Sequence, residues 1–264
     1  MRNITLGMTV LFLVLLVAAY VHKQGSGTER TVSLMKSGVK WEVETAAIGK
    51  KTKVSFIIQD DKGKGLRGLN DEKQNEIRAV IVPPDMKEYI EIQPSFLGKG
   101  AFMFTHIFKQ KGEYAVFLYE KNKNMQQSFA NTRITIGQDS EQHSEKQQSL
   151  VPDSLLTTEI GPYKTSLVFD ALRVGKMETL TFQFPDKGGR LRFRSESGEL
   201  PSFLFVNESK RSLVHTVAQD QEGKKELSLA VTFPEEGLYK MWGTFYVNGR
   251  EYHRDFVVQV GSKN

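Results

Sequence analysis

Apolar residues recur at every second position through the C-terminal part of this chain. Leu229, Val231 and Phe233 share one phase, Tyr239, Met241, Gly243 and Phe245 follow beyond a turn, and Phe256, Val258 and Val260 complete the set. An earlier stretch carries a quieter version, with Tyr114, Val116 and Leu118 followed by Ile134 and Ile136. A period of two sets one face of a strand on a core and leaves the other wet, as antiparallel sheets require. The breaks between runs are turn chemistry. "QKG" and "EEG" end in Gly112 and Gly237, which can take positive φ, and "VNGR" holds the Asn-Gly pair of a tight hairpin at 248–249.

The body also repeats itself, with a period of about 125 residues, which is the size of a domain rather than of a solenoid unit. Trp41, Val43, Ile48, Gly49, Val54 and Phe56 lie over Leu167, Phe169, Val174, Gly175, Leu180 and Phe182. Further on, "FKQKGEY" from Phe108 lies over "FPEEGLY" from Phe233. Six or seven short strands in each copy predict an all-β protein of two tandem immunoglobulin-like or cupredoxin-like β-sandwiches. Trp41, Trp242 and the phenylalanines are then core residues, with Phe233, Tyr239, Trp242 and Phe256 expected on one side of the second core. "GQDSEQHSEKQQSLVPDS" at 137–154 is polar and glutamine-rich, which is linker composition. The expected organisation is a signal anchor and short stalk at 1–27, a first sandwich at 28–137, a linker at 138–158 and a second sandwich at 159–264. A linker of that kind leaves the relative orientation of the copies open.

Ile4 to Val21 forms eighteen residues without a charge, preceded by Arg2. As a helix it would reach roughly 27 Å, close to the hydrocarbon thickness of a bilayer. "AAY" is a poor small-x-small cleavage site and the chain has no cysteine for acylation, so an uncleaved single-pass anchor is expected. The membrane is then the first partner, and the rest of the chain lies outside the cytoplasm. The net charge of +5 comes from scattered lysines, which favours anionic surfaces weakly and gives no nucleic-acid footprint.

Catalytic patterns do not emerge. "DKGKGLRG" at 61–68 has the glycines of a phosphate loop but follows an alternating strand, with no helix pattern after it. No serine stands in a nucleophile elbow, and the carboxylates cluster in turns rather than as an acid–base pair. The five histidines, His22, His106, His143, His215 and His253, have no close ligand spacing, although distant strands could still bring them together. No enzyme activity and no cofactor is expected.

The closing stretch, "FPEEGLYKMWGTFYVNGREYHRDFVVQV", resembles the C-terminal signature of YtkA-like domains, extracytoplasmic β-sandwiches common in Bacillus-type bacteria. In that group a Phe-Pro-x-x-Gly-x-Tyr turn leads into a Trp-Gly-x-Phe strand. The second copy is similar to it over 174–260 and the first, more faintly, over 48–136. The resemblance implies metal handling through one histidine in an upstream strand and a His-x-His-Pro just after it. Here the strand position falls on Arg78 in the first copy and near Ser202 in the second. The paired positions become Glu91 to Pro94 and then His215 and Val217, so the implied site is degenerate. Two functions are therefore expected. One is a membrane-anchored, non-enzymatic protein that binds or supports an envelope protein or surface polymer. The alternative is a copper- or zinc-binding chaperone or sensor using His215, with His253 and Glu91 joining it in space.

Overall fold

A computed structural model describes residue 34 and residues 38–44, 46–121, 126–137, 149–154, 156–184, 191–219 and 224–261. The expected membrane helix and most of the linker lie outside the described residues. Among the described residues no helix is long and apolar enough to cross a membrane. Residues Leu34–Asn264 form one compact unit.

The chain runs β1 (Gly38–Val43), β2 (Lys51–Gln59), α1 (Asp71–Glu76), β3 (Ile77–Val82), β4 (Ile90–Ile92), β5 (Ser95–Gly98), β6 (Ala101–Ile107), β7 (Gly112–Glu120), β8 (Gln126–Gln127) and β9 (Ala130–Ile136) through the first copy. The second continues with β10 (Thr157–Ile160), β11 (Tyr163–Val168), β12 (Met177–Gln183), β13 (Ser202–Asn207), β14 (Leu213–Val217), β15 (Glu226–Thr232), β16 (Gly237–Val247) and β17 (Arg250–Val260). All pairings between strands are antiparallel. They build four sheets, ordered β1-β2-β6-β5, β4-β3-β7-β9, β10-β11-β12-β15 and β17-β16-β13-β14-β8. The all-β expectation therefore holds.

The duplication read from the sequence is written into the hydrogen bonds. Trp41 stands opposite Phe56 in one copy, and Leu167 opposite Phe182 in the other. The Gly49 N–H donates to the Phe108 carbonyl, and the Gly175 N–H to the Phe233 carbonyl, both at 2.9 Å. Gly112 and Gly237 take φ of 119° and 121°, a region closed to side chains with a Cβ. Beyond each glycine a tyrosine hydroxyl turns back four residues, Tyr114 to the Gln110 carbonyl and Tyr239 to the Glu235 carbonyl. Core volume is exchanged between copies. Ala79 faces Leu118 where Phe203 faces Gly243, so the large partner sits on opposite strands. A Cβ on Gly243 would lie 2.6 Å from the Phe245 ring and 2.9 Å from the Phe203 ring.

Two-sided burial distinguishes the central strands. In the second copy Phe203, Phe205, Tyr239, Met241, Phe245 and Phe256 share a core with Leu180, Phe182 and Leu229 of the opposing sheet. The alternate residues of the same strands, Leu204, Val206 and Trp242, point the other way. They join Val80, Val82, Ala115, Phe117 and Tyr119 of the first copy in a separate buried cluster. Strands β3 and β7 behave likewise, because Ala79, Ile81, Val116 and Leu118 are also fully buried. The sheets thus stack in four layers, and the copies are packed together instead of swinging on a linker. Trp242 is the correction this brings. It is out of phase with Tyr239 and Met241, so it seals the seam between copies rather than the core of the second.

Candidate functional site

The seam is where two of the three sequence-derived site residues, Glu91 and His215, come to lie. Its two sides are the same face of each copy. Val80 and Leu204, Val82 and Val206, Phe117 and Trp242 hold equivalent positions in the two ladders, and all six are in the buried cluster. Glu91 and His215 are equivalent in the same sense: Glu91 stands opposite Val80 as His215 stands opposite Leu204. Both side chains leave β4 and β14 toward the seam, which is why a pattern spaced along the sequence collects in one place.

Tyr119 bridges them. Its hydroxyl donates to Glu91 Oε2 at 2.6 Å, and its ring lies 4.8 Å from the His215 imidazole, centroid to centroid. Burial, reinforced by the Glu91 carboxylate, raises the tyrosine well above its ordinary range, so it remains a neutral donor. The carboxylate also meets Arg78 Nε at 3.6 Å and Lys121 Nζ at 3.7 Å. Arg78, the residue at the expected strand position, is itself tied to the Asn75 and Ile77 carbonyls. His215 is 4% exposed, and burial, with the Lys121 charge behind it, lowers its pKa to about 4. Its Nδ1 and the Trp242 Nε1 are buried with no partner among the described residues. Trp242 rests on Tyr89 at 5.4 Å.

His253 is not part of this group. It stands opposite Thr244 on β17, exposed, with Glu251 at 2.8 Å and Thr244 Oγ1 at 3.4 Å. Two strands separate β17 from β14, a distance of roughly 14 Å at the usual strand spacing. Side chains stand nearly perpendicular to a sheet, so the two imidazoles do not converge. His106 lies in β6 of the outer sheet, against Phe108 at 4.8 Å, while Ser202 and Val217 sit opposite each other on β13 and β14. His22 and His143 lie outside the described residues. Among the described residues no three His, Cys, Asp or Glu side chains gather as metal ligands. Glu91 is already surrounded by one hydroxyl and two cations, which is a poor start for a cation site.

What the seam does chemically is hold. Beyond the apolar cluster, polar groups cross it at several points. Lys210, buried in the β13–β14 turn, donates to the Pro84 carbonyl at 2.9 Å. Arg133 reaches the Ser209 carbonyl and Asn131 the Arg211 carbonyl. The two residues of β8, contributed by the first copy, pair with Val214 and His215 at the edge of the second copy's sheet. Tyr119, Lys210 and β8 carried no pattern in the sequence. The two-sided runs "AVIV", "YAVFLY" and "FLFV" did carry one, since strands buried on both faces lose alternation.

Residues 158–262 match the model of a domain of unknown function, DUF8832. No curated protein matches the chain. Among solved structures the chain is similar to the adhesin FdeC of Escherichia coli, at 17% identity over 85% of this chain and 64% of that one, with a TM-score of 0.29. It is similar to a putative membrane anchored protein from Corynebacterium diphtheriae at 7% identity, covering 84% and 57%, with a TM-score of 0.26. For invasin, a bacterial integrin-binding protein, identity is 15%, the coverages are 86% and 40%, and the TM-score is 0.24. The chain thus spans 64% or less of the length of these three proteins.

Proposed function

We propose that this chain is a membrane-anchored, extracytoplasmic protein whose two immunoglobulin-like sandwiches form a rigid, non-enzymatic module that binds or supports another component of the cell envelope. The observation that carries the reading is the filled seam. Ligand sites of two-domain proteins favour the cleft between domains, and here that space is occupied by Leu204, Val206, Trp242 and their first-copy counterparts. Function then falls to the outer surfaces. The back-bonded tyrosines at 114 and 239 support the immunoglobulin-like assignment over a cupredoxin-like one. The YtkA-like kinship belongs to the same reading, and the charge-free segment Ile4–Val21 supplies the anchor.

Two measurements test it. The full chain should stay in the membrane fraction through an alkaline carbonate wash, and its body should be cut by protease added outside intact cells. Crosslinking on intact cells should then recover one envelope protein or polymer, lost when 159–264 is deleted. Release by carbonate, or identical recoveries with and without that deletion, would end the proposal. Metal binding at His215 is the competing proposal, favoured by its unpartnered Nδ1. It requires residues 28–264 to retain copper or zinc near stoichiometrically, and His215→Ala to lower the retention.

A further inference from the structure

We infer that one pole of the first copy, formed by the β2–α1 loop and the tip of the β5–β6 hairpin, is a docking site for an anionic lipid surface. The inference rests on the anchored reading above and adds a second attachment to it. Four observations meet at this pole. The first is where β1 begins: Gly38 stands opposite Gln59 at the end of β2. β1 therefore starts at the end of the sheet from which the β2–α1 loop departs. Gln59 anchors that loop through a bridge to Gly65 and a 2.7 Å bond from its side chain to the Gly63 carbonyl.

The second observation is that loop and hairpin tip are one surface. The Ile58 N–H donates to the Gly100 carbonyl and the Leu66 N–H to the Ile58 carbonyl, at 2.9 and 2.8 Å. A Cβ on Gly100 would lie 2.6 Å from one carbonyl and 2.7 Å from the Leu66 nitrogen, so nothing separates the two segments. Third comes chemistry. Leu97 is 60% exposed in the hairpin, and Lys62, Lys64 and Arg67 of the loop and Lys99 of the hairpin tip are exposed as well. Two carboxylates share the loop, Asp60 and Asp61. Asp60 Oδ1 is turned inward, accepting from the Lys62 and Lys64 backbone N–H groups at 3.0 and 2.9 Å. A pole that exposes a leucine together with four cations matches the headgroup boundary, where apolar side chains enter and lysines meet anionic lipid. Fourth, among the described residues β5 has no counterpart in the second copy, whose β15 is an edge strand. The strand that presents Leu97 is thus an addition to the first copy.

Residues 28–264, which hold every core residue described above, test this without the apolar segment. Vesicles of phosphatidylcholine and vesicles containing roughly one-third phosphatidylglycerol are compared by sedimentation at low and high salt. Binding is expected to the anionic vesicles alone and to fall with salt. Each lysine at a membrane surface contributes roughly fivefold, so Lys62→Ala with Lys64→Ala should weaken binding about twenty-five-fold, and Leu97→Asp should weaken it further. Both variants should melt as the wild type does, because the replaced side chains are exposed. Equal binding to neutral vesicles, or no effect of Leu97→Asp together with equal binding to soluble polyphosphate, overturns the inference. Failure to bind vesicles leaves the anchor reading standing, whereas carbonate release of the full chain removes the anchor and leaves the vesicle result intact.

Discussion

Replacing Trp242 by alanine should loosen the protein at the seam, not unfold the second sandwich alone. The side chain is 8% exposed, lies out of phase with the core residues of β16 and packs on Tyr89 across the copies. Truncating a buried aromatic costs about 3 to 5 kcal/mol through lost burial and the cavity left behind. Here the indole Nε1 is buried without a partner, and removing it recovers about 1 to 2 kcal/mol of desolvation. The net loss should be about 2 to 3 kcal/mol. Trp242→Phe keeps most of the apolar contact and sheds the stranded N–H, so it should stay within about 1 kcal/mol of wild type. Urea denaturation of residues 28–264, followed over the whole chain by circular dichroism and by tryptophan fluorescence, which in both variants comes from Trp41 alone, separates the cases. The alanine variant should lose coincidence between the two signals, since Trp41 reports only on the first copy. Phenylalanine costing as much as alanine would show that the indole N–H is satisfied and the reasoning wrong. An alanine variant as stable as wild type would remove the seam as a source of stability.

Other outcomes follow from the same geometry. His215 has its pKa lowered from 6.5 to about 4, so the unfolded chain binds the extra proton first as pH falls. Its contribution, about 3 kcal/mol, is complete above about pH 6.5 and is lost on descending toward pH 4. His215→Phe should therefore flatten the decline of melting temperature across that window, and an unchanged decline would contradict the assignment. Gly243→Ala should destabilise by about 1 to 3 kcal/mol, because its methyl would overlap the Phe203 and Phe245 rings; a calorimetric melt decides. Tyr114→Phe and Tyr239→Phe should each cost about 1 to 2 kcal/mol, because each hydroxyl makes a second bond, with the Gln110 N–H and with Ser212 Oγ respectively, read from the denaturation midpoint.

Much of the fold was legible because alternation and turn chemistry are local. Tyr239, Met241, Gly243 and Phe245 keep one phase in the sequence and one face in the structure, and the glycines at 112 and 237 take the backbone their turns require. Trp242 was misplaced by judging its aromatic character over its phase, which already set it on the opposite face. The seam itself is missed when Tyr114, Val116 and Leu118 are read as a one-sided strand and the continuous runs of β3 and β13 are left unread. Continuous apolar runs mark burial on both faces, but they do not name what covers the second face. Site residues were half legible. The resemblance set Glu91 and His215 at matching positions, yet only the stacking of the copies brings Tyr119 between them and leaves His253 on another strand.

The two copies form one stacked block, and a distance between their outer faces tests that most directly. The chain has no cysteine, so spin labels at Lys53→Cys and Thr179→Cys report on those sites alone. Both positions are exposed on the outermost sheets and are equivalent in the repeat. Four sheets stacked at about 10 Å put them on the order of 30 Å apart. Pulsed electron paramagnetic resonance should give one narrow distance distribution near that value, broadened by Trp242→Ala. A broad distribution in the wild type, reaching the separations a flexible linker permits, would contradict the stacked seam and everything inferred from it.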